Sequence, residues 1–306
     1  MSLMVLFWFA FYLAHVLMLP PLLVGFLRLC KARLQKRRGP SLWQPFWDIA
    51  KLLRKGETVS ETTTWVFRYA PMINMATLIA VALMIPWLGV ASPVHGDLFL
   101  VIYLLALGKF VTGLAALDTG SSFGALGASR EAAVSLQAEP AMVISLAALA
   151  AHARSSAFSI FLAPGQSGSD LIVIVPLVLG ALWLAITAEL ARMPVDDPTT
   201  HLELTMIHEA LILENSGRNL ALVEIAVALK MTVLFGLLAQ VLLILWPLHS
   251  PVLAYLVSLA LILAGIATLA LLESVLVKLR WRRIPNLLSF ALAAGALACV
   301  VVALKG

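Results

Sequence analysis

Runs of about twenty mostly apolar residues recur along the whole chain, and they restrict its fold more than any other feature. VLFWFAFYLAHVLMLPPLLVGFL near the start and LIVIVPLVLGALWLAITAEL in the middle are two of them. A helix needs about 20 such residues to cross the hydrocarbon core of a bilayer. Inside lipid every backbone N–H and C=O must be satisfied internally, so only helices or closed barrels can span. Apolar residues do not alternate with polar ones at period two, which argues against a barrel. Hydrophobic residues make up 62% of the chain and charged ones 12%, and the mean hydropathy is +1.00. These values predict an all-α polytopic membrane protein, a single membrane domain over 1–306 with no room for a sizeable soluble domain.

A 19-residue window predicts eight transmembrane helices at 2–27, 70–91, 98–118, 131–151, 171–192, 219–246, 252–278 and 286–304. The first has no basic leader or small-residue cleavage pattern, so it reads as an uncleaved span. The connections after the first, third, fifth and seventh spans carry nearly all the positive charge. Of the 21 Lys and Arg residues, only Lys109, Arg154, Lys230 and Lys305 lie elsewhere. Positive charge collects on the cytoplasmic side, which places both termini on the opposite side of an inner or cytoplasmic membrane. The net charge of +5 is thus a topology signal; no domain presents a basic patch to nucleic acid. The long polar segments share that basic face, which reads as a docking face for a soluble partner.

RLCKARLQKRRGPSLWQPFWDIAKLLRKGE, 28–57, follows the first span. Gly39–Pro40 breaks the chain and Ser41 is a candidate cap. From Leu42, apolar residues at three- and four-residue steps, flanked by Trp43 and Trp47, predict an amphipathic helix over about 42–55 in the membrane interface. Two roles fit: plain surface anchoring, or the wall of a cavity that opens toward lipid.

Charges within spans are costly, about 2.5–3.5 kcal/mol each at the bilayer centre, and mark function. Lys109, Glu139, Glu224, Lys230 and Glu273 lie inside predicted spans, while Asp118, Glu131 and Glu189 lie at span ends. The Gly/Ser-rich run before Arg130 reads as a loop, with Glu131 opening the next helix. Glu139 then lies two turns deeper, rotated by about 80° from Glu131, and Pro140 loosens the backbone behind it. Carboxylates stepping inward suit a proton path, because burial pushes their pKa toward neutrality. Structural ion pairs with Lys109 or Lys230 are the alternative.

PVDDPTTHLELTMIHEALILENSG, 194–217, concentrates five acids (Asp196, Asp197, Glu203, Glu209, Glu214) and two histidines (His201, His208). Pro194 and Pro198 end the fifth span, and Thr199 or Thr200 can cap a short helix over 200–214. His201 and His208 stand two turns apart and HEALI lacks the second histidine of H-E-x-x-H, so the spacing assigns no metal. Either a solvated acidic loop or a partly buried one fits; the apolar residues between the acids favour burial. Cys30 and Cys299 form no Cys-x-x-Cys pair and stand near opposite membrane faces, so they read as inert thiols. No phosphate loop or dinucleotide fingerprint occurs, so the chain binds no evident cofactor and any redox centre belongs to a partner.

Three stretches together, RRGPSLWQPFWDIAKLLRK, GASRE…EP and RMPVDDPTTHLEL, set among eight spans, give a resemblance over essentially the whole length. The chain resembles the subunit-1 (H-subunit) family shared by respiratory complex I and the membrane-bound nickel–iron hydrogenases, formate hydrogenlyase included. Arg37, Gly39 and Pro40 match its R-x-G-P region, Glu131 and Glu139 its acids at the entry to a charged axis, and Arg192, Pro194, Asp196 and Glu203 its R-x-P-x-D…E-L segment. The resemblance implies a membrane anchor and coupling subunit. It would seat a soluble electron-transfer arm of hydrogenase large and small subunits and a ferredoxin-like subunit. Iron–sulfur clusters and the nickel–iron centre would sit on that arm, and antiporter-like membrane subunits would continue the ion path. Thr199 and His201 stand where complex I members carry further glutamates, and Ser41 where Asn is common; these departures point to the hydrogenase branch, without quinone.

On this reading Asp118, Glu131, Glu139, Asp196, Glu203, Glu209, Glu214, Glu224 and Lys230 form the coupling path. Arg37, Arg38, Gly39, Pro40, Trp43, Trp47, Arg192, His201 and His208 form the arm-docking face, with membrane lipid around the rest. The alternatives are a quinone-site subunit of complex I and a stand-alone secondary transporter. A transporter predicts paired breaks in two repeated halves, and no internal repeat is visible.

Overall fold

The computed structural model describes residues 3–166, 168–197, 206–248 and 250–305, with side chains for all of these except 3–6 and 305. Among the described residues, eight helices are long and apolar enough to cross a membrane. In chain order the helices are α1 (Leu3–Leu34), α2 (Gln44–Arg54), α3 (Trp65–Met84), α4 (Leu98–Asp118), α5 (Ser122–His152), α6 (Phe158–Phe161), α7 (Leu171–Glu189), α8 (His208–Ile212), α9 (Gly217–Leu243), α10 (Pro251–Val275) and α11 (Ile284–Lys305). The helices α2, α6 and α8 are too short to span. The others alternate in direction, so the connections holding α2, α8 and the turn before α11 share one face.

Apolar side chains surround the long helices, which therefore lack a polar stripe and must face lipid or one another. Helix α9 is the most enclosed of the eight. It packs on α1, α2, α3, α7 and α10, while α5, α7 and α11 form a second group and α4 joins α3 to α5. Trp87, buried after α3, donates its indole N–H to the Ala82 carbonyl at 2.8 Å, and Tyr12 of α1 donates to the Val90 carbonyl at 2.8 Å. Both tie the turn beyond α3 into the core.

Several boundaries differ from the sequence reading. The second span runs from 65 to 84, not from 70 to 91. Thr64 caps its start by accepting the Val66 N–H. The chain leaves the helix after Met84, yet Trp87 and Leu88 stay buried in the bundle, so hydropathy continues where the helix does not. The first span continues to Leu34 because Arg28 and Lys31 on its last turns find partners, Asp48 at 3.0 Å and Glu273 at 2.8 Å.

The largest correction concerns 120–130. This run is helical from Ser122, broken from α4 only by a short turn with Gly120 at φ +66°. Its small residues serve close packing and not loop flexibility. A Cβ at Gly127 would stand 2.7 Å from the Leu211 backbone nitrogen, so glycine lets α5 touch α8.

Helix α7 stops at Glu189, earlier than Pro194 would require, and Ala191 takes φ +46°. Beyond it, Val195 and Ile207 join Val134, Ala138 and Leu288 in an apolar cluster beside α5 and α11. Irregular backbone at this depth is tolerated because protein surrounds it. Of the helix expected over 200–214, the described part is α8, His208–Ile212; Thr199, Thr200, His201 and Glu203 lie outside the described residues. Helix α2 begins after Trp43 with Pro45 in its first turn, and Ser41 makes no cap.

Candidate functional site

Lys109, midway along α4, meets charges from two other elements. Its ammonium stands 2.5 Å from Glu189 at the end of α7, and 3.6 Å and 3.3 Å from Glu131 and Glu139 on α5. It also donates to the Ser135 hydroxyl at 2.7 Å. The backbone positions of the two α5 glutamates are about 12 Å apart along the helix axis, so their side chains lean toward one another to share the one ammonium. Lys230 of α9 reaches the other oxygen of Glu189 at 2.6 Å and the Glu189 backbone carbonyl at 3.2 Å. That carbonyl is left over at the C-terminus of α7, where a cation is favoured. Glu189 is the hub, with 3% of its side chain exposed. The pairs among α4, α5, α7 and α9 offset the cost of charges at this depth.

A cavity of about 60 Å³ lies inside this cluster, lined by Asn74, Lys109, Glu131, Glu189, His208 and Lys230 among others. It has room for a few water molecules and enough polar groups to hold them. Toward the basic face lies a second cavity of about 260 Å³, the vestibule, lined by Arg28, Lys31, Arg192, Asp196, Glu209 and Glu224 together with His208. On the other side, an open groove of about 670 Å³ runs between α4 and α5. Most of its walls are apolar, with Leu136 77% and Phe110 64% exposed, while Lys109, Glu131 and Ser135 reach it from the cluster. Glu139, with 31% of its side chain exposed, borders it.

A second set of charges holds the described residues 190–197 and 206–208. Buried Asp196 accepts the Ile207 and His208 backbone N–H groups at 3.0 and 3.3 Å and receives the Lys278 ammonium at 2.5 Å. Asp196 thus clamps both ends of the segment that leads to α8. Arg192 points inward to Glu273 of α10 at 3.5 Å, and Lys31 of α1 shares that carboxylate. His208 is held where α8 begins. Burial, reinforced by the Lys230 and Arg192 charges and opposed by Asp196, holds its imidazole down to about 4, so it is neutral near pH 7.

The structure therefore gathers Glu131, Glu139 and Lys230 and separates other residues expected to join them. Asp118 caps α3: it accepts the Thr64 N–H, the Thr64 hydroxyl and the Phe67 N–H at 2.7, 2.8 and 3.1 Å. Glu224 and Lys230 share α9, but six residues rotate them about 120° apart, and Glu224 turns to the vestibule and to α2. Glu214 is exposed and Glu209 lines the vestibule. Arg192 and His208, expected on a docking surface, face inward. Lys109, Glu189 and Glu273 were visible as intramembrane charges, but nothing local in the sequence pairs them.

Arg37 and Arg38 are exposed and, with Pro40, Arg130 and Arg280, line an open cavity of about 1120 Å³ on the basic face. Trp43, just before α2, and Trp47 on it are exposed. The inner side of α2 walls a cavity of about 140 Å³ against α1 and α9, with Pro45, Asp48, Ile49 and Leu52 in the lining. The bend that delivers α2 there needs glycine at 25, since a Cβ would run into the Leu42 carbonyl. Gly39 packs beside Ala32 and Leu29 at the end of α1.

Residues 7–304 match the family model described as NADH dehydrogenase. The chain is 35% identical over 224 residues to hydrogenase-4 component C of Escherichia coli (strain K12), covering 72% of this chain and 70% of the relative. It is 31% identical over 273 residues to formate hydrogenlyase subunit 4 of the same organism, covering 85% and 86%. It is 29% identical over 178 residues to a subunit of the NADH-quinone oxidoreductase of Symbiobacterium thermophilum, covering 54% and 53%. Among solved structures, a chain of the membrane-bound sulfane sulfur reductase, an archaeal respiratory membrane complex, superposes with a TM-score of 0.84 over 97% of this chain and 99% of that one. At 18% identity this likeness concerns the fold.

Proposed function

The chain belongs to the NADH dehydrogenase family, and on that premise we propose that it is the membrane subunit through which a docked electron-transfer arm drives ion movement. The observation that carries this reading is the charge axis Glu131–Lys109–Glu189–Lys230 with Glu139 at its outer end. Two cations and three carboxylates share one site across four helices. A change of charge or protonation at one member alters the balance at the others, because Coulomb energies are large where water is scarce.

The basic face seats the arm. Arg37, Arg38 and Arg280 surround a wide, open cavity suited to an acidic protein surface. Two relatives belong by name to hydrogenase-4 and formate hydrogenlyase, which favours an arm of hydrogenase large and small subunits with a ferredoxin-like subunit. Iron–sulfur clusters and a nickel–iron centre then lie on that arm. The groove between α4 and α5 is the seat of an antiporter-like membrane subunit. A carboxylate bordering lipid is costly, and a neighbouring protein covering Glu139 removes that cost. Both termini face away from the arm, on the non-cytoplasmic side of the cell membrane. The likeness to subunits of hydrogenase-4 and formate hydrogenlyase speaks against a stand-alone transporter.

The test uses the intact complex in sealed vesicles, with ions moved per electron pair as the readout. Glu139→Gln should lower that ratio while the arm remains bound; an unchanged ratio would falsify the axis. A second reading, a quinone-reducing subunit, draws on the cavity behind α2. Inhibition of the intact complex by a quinone-site inhibitor would favour it, and insensitivity would favour the hydrogenase branch.

A further inference from the structure

The vestibule and the inner cavity are separate, and the wall between them consists of the side chains common to both linings: Leu190, His208 and Val227. Two of these are hydrocarbon. His208 is the one polar, titratable group that touches both spaces. Its place is fixed at the backbone, where its N–H bonds Asp196 at 3.3 Å and Lys278 in turn holds Asp196. Gly127 brings α5 against the next turn of the same short helix. A histidine placed by a clamp, in an otherwise apolar partition, separates a cavity lined by charged side chains from a buried charge cluster.

We propose that His208 passes protons between the vestibule and the inner cavity. This rests on the coupling role proposed above and names its entry residue. A neutral imidazole has one N–H donor and one bare nitrogen acceptor. A proton from vestibule water binds the bare nitrogen, and the proton on the other nitrogen leaves to water or to the Glu131 or Glu189 carboxylate inside. One N–H bond forms and one breaks, no electrons change hands, and rotation or tautomer exchange of the ring resets it. Burial, together with Lys230 and Lys109 inside and Arg192 outside and against Asp196, disfavours a lasting imidazolium, so the ring conducts without trapping the proton.

The experiment replaces the ring in the intact complex and measures protons moved per electron pair in sealed vesicles. His208→Ala should lower the ratio clearly below the wild-type value, and added imidazole should restore part of it, since the truncated site joins the vestibule. Loss without rescue, in a complex with the arm bound, makes His208 a mere wall residue and overturns the proposal. A normal ratio in His208→Ala alongside a reduced ratio in Glu139→Gln also overturns it while sparing the coupling role. Normal ratios in both variants overturn the coupling role itself. If His208→Ala does not assemble, His208→Gln keeps a polar group of similar reach; a reduced ratio there supports the relay and a normal ratio refutes it.

Discussion

Glu189→Gln removes one negative charge and almost no volume. In the native chain Glu189 holds Lys109 at 2.5 Å and Lys230 at 2.6 Å. At an effective dielectric of about 20, each contact is worth roughly 6 kcal/mol of gross attraction. Desolvation of the three groups cancels most of it, so the net worth of the intact cluster is small. Losing the anion alone leaves the desolvation cost of two cations in place. Lys109 retains Glu131 and Glu139, whereas among the described residues Lys230 has no other carboxylate partner. The expected loss is about 3–5 kcal/mol, carried mainly by Lys230. Removing both charges, Glu189→Gln with Lys230→Met, should recover much of it. Unfolding free energies in mixed micelles for wild type, both single variants and the double variant close the cycle. A coupling of roughly 1–3 kcal/mol is predicted. Strictly additive losses would show that the two groups do not share an energetic unit, and the hub account would fail.

Other outcomes follow from the same contacts. Asp118→Ala should cost about 1–2 kcal/mol as α3 loses its bound N-terminus, yet leave ions moved per electron pair at the wild-type value; a lower ratio would return Asp118 to the path. Stability should fall as the pH drops from 6.5 toward about 4, because an unfolded His208 takes up a proton in this window and the folded one, among Lys230, Lys109, Arg192, Arg28 and Lys31 against Asp196, Glu209, Glu131, Glu189 and Glu224, does not. His208→Gln should flatten that part of the stability profile, measured by unfolding at several pH values; an unaltered slope would contradict the assignment.

The spans were legible because hydropathy and helix length are local properties. The window at 98–118 coincides with α4 from end to end. Helix α2 was legible for the same reason: Phe46, Ile49 and Leu52 recur at helical spacing. What escaped is non-local. Trp87 and Leu88 continue the apolar run of α3 in the sequence but leave the helix in space. The glycines and serines of 122–129 match a loop in composition, yet they are helical, with Gly124 packed on α4 and Gly127 on α8. Lys109 and Lys230 were readable as costly charges, but their common partner Glu189 depends on how α4, α7 and α9 are rotated about one another. Likewise, Asp118 looks like the mouth of a path until Thr64 is seen beside it, 54 residues away in the chain. The same limit applied to His208, whose charged neighbours Lys230, Arg192, Asp196 and Lys109 are distant in the chain.

The central claim is that the buried charge cluster transmits electron transfer in the arm into ion movement. Lys109 touches three of its members, so Lys109→Met in the intact complex tests this most directly. Sealed vesicles report ions moved per electron pair, and pull-down of the arm checks assembly. The arm should stay bound and the ratio should fall clearly below the wild-type value. A Lys109→Met complex that moves as many ions per electron pair as the wild type would contradict it.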